Sequence, residues 1–187
     1  MSFRHKCINM FYKAARSSRK VRILLTPIGI VIFFSFVGLF VVVSLWIDKF
    51  LALPKLLPTP SNITLSLPII AIGLFLNLWS VLHFINVKGT PVPFNPPPKL
   101  VTTGPYAYVR NPMLTGVFIW LFGLGILLRS ISLVFIFTPL FVLLNVLELK
   151  AIEESELEKR LGREYLEYKK RVPMFIPWLG RTKNGKI

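Results

Sequence analysis

Four long apolar runs, at residues 23–47, 63–87, 113–128 and 131–147, constrain this chain more than any other feature. Crossing the hydrocarbon of a bilayer takes roughly 20 apolar residues in a helix. The first two runs are long enough to cross with some tilt, with Pro27, Pro68, Asn77 and His83 as their polar or kinking exceptions. The last two are separated only by Arg129 and Ser130. At ~1.5 Å per residue each reaches only about 25 Å, so they form a tight helical hairpin that just spans or is partly re-entrant, with both open ends on one side. The expected architecture is an all-α integral membrane protein with about four transmembrane helices, the last two a hairpin, and a cytosolic C-terminal amphipathic helix. A cleaved signal peptide fits the first run poorly, because it exceeds the usual ~7–15-residue apolar stretch and no small-residue cleavage motif follows.

Composition agrees with a membrane solvent. Of 187 residues 53% are apolar and 17% charged, and the mean hydropathy is +0.62. The 23 Lys and Arg outnumber the 8 Asp and Glu, for a net charge of +15. Most of that excess follows the positive-inside rule. With the N-terminus in the cytosol, only Lys49, Lys55 and Arg129 of the 23 fall on the outer side. Both termini are thus expected in the cytosol, in the inner membrane if the cell is prokaryotic. The basic residues are read as topology signals and attraction to anionic lipid, and nucleic acid is not expected as a partner because no reader motif is present. The lone Cys7 cannot form an internal disulfide, and no metal cluster is suggested.

This reading divides the chain into a basic cytosolic segment (1–22), an anchor helix with its outer loop (23–62), and a membrane domain (63–187) with a cytosolic loop at 88–112 and a cytosolic tail at 148–187. The loop holds Pro91, Pro93, Pro96, Pro97, Pro98 and Pro105 together with apolar side chains, which favours an ordered, functional segment over a disordered one. In the tail, Leu157, Leu161, Tyr165, Tyr168 and Val172 follow helical spacing and predict one apolar stripe. Glu153 and Glu154 fall on or beside that stripe, as a charged helix start, an ion pair or a functional pair. Phe175, Pro177 and Trp178 then close the tail with a group suited to the membrane interface.

Three motifs in this order resemble the isoprenylcysteine carboxyl methyltransferase family, especially its prokaryotic members, and more distantly the phospholipid N-methyltransferases. They are Lys88-Gly89-Thr90-Pro91 with the prolines after it; Leu100-Val101 followed by Gly104-Pro105-Tyr106, Tyr108 and Arg110-Asn111-Pro112-Met113; and Glu153-Glu154 followed by Leu157, Leu161-Gly162, Tyr165, Tyr168 and Val172-Pro173. The resemblance covers roughly residues 63–178. It implies S-adenosylmethionine as cofactor, held between the hairpin and the tail without a nucleotide-binding sheet, and it implies methyl transfer to a lipophilic small molecule or lipidated acceptor at the bilayer. Arg110, Glu153 and Glu154 are implied as the residues that carry the reaction. Gly104, Pro105, Tyr106, Tyr108, Val109, Asn111 and Pro112 are implied to complete the cofactor site.

The chemistry gives these residues plausible tasks. A carboxylate suits the cofactor's ammonium or ribose diol, and a guanidinium suits its carboxylate. A Tyr face near the sulfonium offers a cation–π contact, although Tyr106 and Tyr108 serve equally as interface anchors. Asn111 cannot act as a base near neutral pH, which favours a carboxyl or thiol acceptor over an amine. The alternative reading is a non-catalytic lipid-binding scaffold or partner subunit with a degenerate cofactor pocket.

Overall fold

A computed structural model describes residues 3–15, 17–86 and 99–177. The proline run at 88–98 and Trp178 lie outside the described residues. Helix α1 (Phe3–Ala15) precedes α2 (Arg19–Phe50), whose 32 residues extend about 48 Å, more than the ~30 Å hydrocarbon thickness. Helix α3 (Ser61–Asn86) runs back, and α4 (Pro112–Leu127) follows with 16 residues, about 24 Å. Pro112 opens α4 at a position where its missing N–H costs nothing. Arg129, at φ 59°, makes the reversal. Three helices are long and apolar enough to span, 20–50, 61–85 and 133–161, and α4 is the short apolar one. The chain is therefore an integral membrane protein of all-helical class.

The hairpin is asymmetric, which corrects one expectation. Its second arm does not stop near residue 147. It continues through a π turn (Leu133–Phe137), α5 (Thr138–Glu148), a second π turn (Leu149–Glu153) and α6 (Glu154–Leu161), because the charged residues after Leu147 still form helix beyond the apolar run. A second correction concerns the tail. The expected stripe from Leu157 to Val172 is broken at Gly162, whose φ of 58° suits glycine, so α6 and α7 (Arg163–Arg171) are separate helices. Nor is the segment before residue 23 only a run of charges. Helix α1 buries Ile8, and Arg4 reaches α6, Nε donating to Ala151 O at 2.9 Å and Nη2 to Ser155 Oγ at 3.1 Å.

The core joins α2, α4 and the second arm through Val37, Phe40, Val117, Leu121, Leu133 and Phe141. Phe141 sits edge-to-face with Phe40 at 5.6 Å and Phe118 at 6.0 Å, favourable aromatic geometry. Between α3 and α4 the backbones meet at small residues, as membrane helices without a hydrophobic driving force prefer. A Cβ at Gly73 would lie 2.6 Å from both Gly116 O and Trp120 N. Asn77 Nδ2 donates to Met113 O at 2.7 Å beside this contact.

At the end of the bundle away from α1 and the tail, Asp48 accepts hydrogen bonds from Ser130 Oγ and from Ser132 N. Arg129 Nε donates to Leu57 O at 2.6 Å, and Asn62 Nδ2 to Leu127 O at 2.9 Å. These bonds pin the hairpin tip to the end of α2 and the start of α3, so the two arms open toward the other face. Toward that face α2 packs only in part: between residues 20 and 36 the side chains are exposed or half-buried, with Phe33 and Phe36 in contact with Phe141, whereas Val37, Phe40 and Ser44 are buried.

The Gly73 contact gives a direct test. Gly73→Ala should destabilise the protein in detergent by about 1–3 kcal/mol, read as a lowered melting temperature. Gly38→Ala, whose Cβ would meet nothing within 4 Å, should leave it unchanged or raise it.

Candidate functional site

The site is assembled where the tail folds back over the open end of the hairpin. Gly104, at φ 59°, starts a 3₁₀ turn (Gly104–Ala107), and a Cβ there would lie 2.8 Å from the His83 ring. Glycine thus lets the turn close on α3. The turn buries Tyr106, whose ring packs edge-on to Phe84 at 4.9 Å and lies 6.2 Å from His83. His83 Nε2 is 2.9 Å from Thr103 Oγ1, and this histidine is part of the packing behind the turn. Two backbone bonds then tie the tail to the next residues: Arg110 N donates to Pro173 O at 2.8 Å and Asn111 N to Met174 O at 3.1 Å. Tyr168 OH donates to Tyr106 O at 2.7 Å. Burial raises the Tyr168 and Tyr165 phenols above the ordinary range and keeps them protonated donors.

Charge pairing completes the closure. Arg110 Nη1 lies 2.5 Å from Glu154 Oε1, with both side chains largely buried. It also donates to Tyr165 OH at 3.4 Å. Lys169 Nζ holds the second Glu154 oxygen at 2.6 Å and Glu158 Oε1 at 2.9 Å. The hydrogen bond to Glu154 first, opposed by partial burial, raises the Lys169 ammonium above the ordinary lysine range. Glu154 therefore has both oxygens engaged. Arg110 Nε, in contrast, is buried with no hydrogen-bond partner.

Inside this closure lies a cavity of about 530 Å³, within the usual size range of small-molecule sites. Arg110, Glu154 and Tyr165, bonded to one another, make one end polar, with Asn111 and Glu153 also in the wall. Toward Phe141, which Phe33 and Phe36 of α2 touch, the wall is apolar, and Glu148 lies on the second arm between Phe141 and Glu153. Of the nominated residues, Tyr106, Arg110, Asn111, Glu153 and Glu154 line the cavity together. Gly104, Pro105, Val109 and Pro112 shape the turn behind its wall. Tyr108 is 58% exposed and lies off the lining.

Several lining residues were not legible as site residues in the sequence. Asn145 lies inside the last apolar run and Glu148 just after it, with no motif around either, although an ionisable residue at that depth is itself a signal. Glu156, paired with Arg160 at 2.8 Å, passed as ordinary helix-surface charge. The α2 wall carried no chemical motif at all. The chain holds only 8 Asp and Glu, and four of them, Glu148, Glu153, Glu154 and Glu156, line this one cavity. The same wall holds Lys99, Arg110 and Arg160, and two of the four carboxylates, Glu154 and Glu156, are paired with Arg110 and Arg160.

The phospholipid methyltransferase family matches residues 61–164, and the chain belongs to that family. Similar proteins include the nickel-cobalt-cadmium resistance protein NccN of Alcaligenes xylosoxydans xylosoxydans, 33% identical over 102 residues, covering 54% of this chain and 43% of the relative. The protein-S-isoprenylcysteine O-methyltransferase of Schizosaccharomyces pombe is 42% identical over 81 residues, covering 42% and 33%. The methanethiol S-methyltransferase 1 of Bradyrhizobium diazoefficiens is 30% identical over 96 residues, covering 51% and 30%. The matched part thus spans less than half the length of each of these relatives.

Removing one partner of a buried pair leaves the other charge uncompensated. Glu154→Ala should therefore cost about 3–5 kcal/mol of stability. Lys169→Met should cost about 1 kcal/mol or less, since Lys169 is partly exposed and screened. Denaturant or thermal melts of both variants in detergent would check the order, and an equal loss in the two would contradict it.

Proposed function

We propose that this protein is an integral membrane S-adenosylmethionine-dependent methyltransferase acting on a lipophilic acceptor, with carboxyl or thiol acceptors favoured over amines. One observation carries the reading. The cavity-lining Arg110 spends Nη1 on Glu154 and keeps a buried, unpartnered Nε. A buried unmade hydrogen bond costs about 1–3 kcal/mol, so this donor fits a carboxylate ligand. The cofactor's amino-acid end supplies one.

The other groups fit as well. Glu153 lines the same end with no ion pair and suits the ammonium. Tyr106 presents an aromatic wall, where a cation–π contact adds about 0.5–2 kcal/mol. When bound, the cofactor supplies an electrophilic methyl on a positively charged sulfur. The chain's own residues align and dry the site: Arg110 fixes orientation, while Phe33, Phe36 and Leu114 keep water from the acceptor end. Asn111 in the wall cannot take a proton near neutral pH, which suits an acceptor that is already ionised. The exposed side chains of α2 before Phe33 leave room for such an acceptor to approach from within the bilayer. Relatives named for isoprenylcysteine and for methanethiol support carboxyl and thiol acceptors.

We further propose that the tail and both termini face the cytosol, on the charge distribution along the chain. A Lys170→Cys variant also lacking Cys7 should resist a membrane-impermeant thiol reagent in intact cells, and labelling from outside would reverse the orientation.

Calorimetry on the purified protein in detergent tests the cofactor reading. The protein should bind S-adenosylmethionine, and Arg110→Lys should weaken binding at least ~10-fold, about 1.4 kcal/mol, because lysine keeps the charge but loses the fork. Lys20→Arg should change nothing. Equal, small effects at both positions would make Arg110 another topology charge and favour a lipid-binding scaffold.

A further inference from the structure

Glu148 ends α5 and Glu153 ends the π turn that follows it. Residues five apart point to different sides of an α-helix, but a turn closed by i→i+5 hydrogen bonds brings them toward one face. The π turn thereby sets Glu148 and Glu153 on one strip, and both line the cavity. Among the described residues neither forms a hydrogen bond or ion pair, whereas Glu154 is held by Arg110 and Lys169 and Glu156 by Arg160. Two ionised carboxylates beside an apolar wall are costly, and the cost is relieved either by protonation or by a cation that joins them. The buried, unpartnered Arg110 Nε in the same wall is a separate sign that this end of the cavity takes a ligand. The turn is also braced from outside, since Arg4 of α1 donates to Ala151 O within it and to Ser155 just after it.

Resting on the proposed cofactor, we infer that Glu148 is a further binding residue of the methyl-donor site, and that it faces the sulfonium while Glu153 faces the ammonium. Depth supports the division. Glu153 precedes Glu154, the partner of Arg110, so it stands at the end where a carboxylate and its neighbouring ammonium belong. Glu148 lies one turn deeper, ~5 Å along the helix, toward the apolar end that the sulfur must approach to hand over its methyl. The bond that breaks is sulfur to methyl carbon and the bond that forms is acceptor to methyl carbon. The bonding pair returns to the sulfur, whose positive charge is lost. A carboxylate placed at Glu148 therefore favours the methylated cofactor over its neutral product and gives product release a driving force.

The test compares binding of S-adenosylmethionine with that of S-adenosylhomocysteine, which lacks the methyl and its positive charge but keeps the ammonium. Calorimetry in detergent on the full chain should show Glu148→Gln weakening S-adenosylmethionine at least ~10-fold while S-adenosylhomocysteine changes no more than ~2-fold. Glu153→Gln should weaken both alike. Glu148→Asp, which keeps the charge, should retain most of the preference and serves if the Gln variant folds poorly. Loss of both ligands in equal proportion at position 148, or of neither, would overturn the assignment. A parent protein that binds neither ligand would instead overturn the cofactor reading itself.

Discussion

The ion pair between Arg110 and Glu154 is the contact on which the rest of the site depends. It joins the segment that enters α4 to the start of α6, parts of the chain 44 residues apart, and it is buried. A buried guanidinium without its carboxylate would be untenable, so the tail must close over the hairpin for the fold to tolerate Arg110. Lys169 then draws α7 onto the same carboxylate, and Tyr168 ties α7 to the Gly104 turn. The closure that satisfies these charges also walls the cavity. The same closure leaves Arg110 Nε buried without a hydrogen-bond partner among the described residues.

The opposite end of the bundle makes this closure possible. Asp48, Arg129 and Asn62 fix the hairpin tip against α2 and α3, while the glycine contacts hold α3 and α4 close. With that end locked, the spacing between α4 and the second arm at the other end is set by helix geometry.

Much of this was legible in the sequence, for definite physical reasons. Apolar run length reveals spans because hydrocarbon thickness sets it, and Arg129-Ser130 between two short runs leaves room only for a reversal. The Gly104 turn, Arg110 and the Glu pair were found by motif, and five of the nominated residues meet at one cavity. Other features escaped for equally definite reasons. Helix α1 is so basic that its charges hide the face bearing Ile8. The tail stripe keeps its spacing across Gly162, and spacing alone is silent about a positive φ. A π turn adds one residue to a helix without disturbing an apolar run, so the juxtaposition of Glu148 with Glu153 emerges only in three dimensions. Tyr108 shares its motif with Tyr106 yet points away, because the 3₁₀ turn gives the two rings different faces.

The central claim is that Arg110, held by Glu154, presents its buried, unpartnered Nε to the carboxylate of a bound methyl donor. An experimental structure of the protein in lipid nanodiscs with S-adenosylhomocysteine tests it most directly. The account predicts the ligand in the cavity between the second arm and the tail, with its carboxylate within ~3 Å of Arg110 Nε and the Arg110–Glu154 pair intact. A ligand bound elsewhere, or one whose carboxylate is held by other residues while Arg110 Nε stays unpartnered, would contradict it.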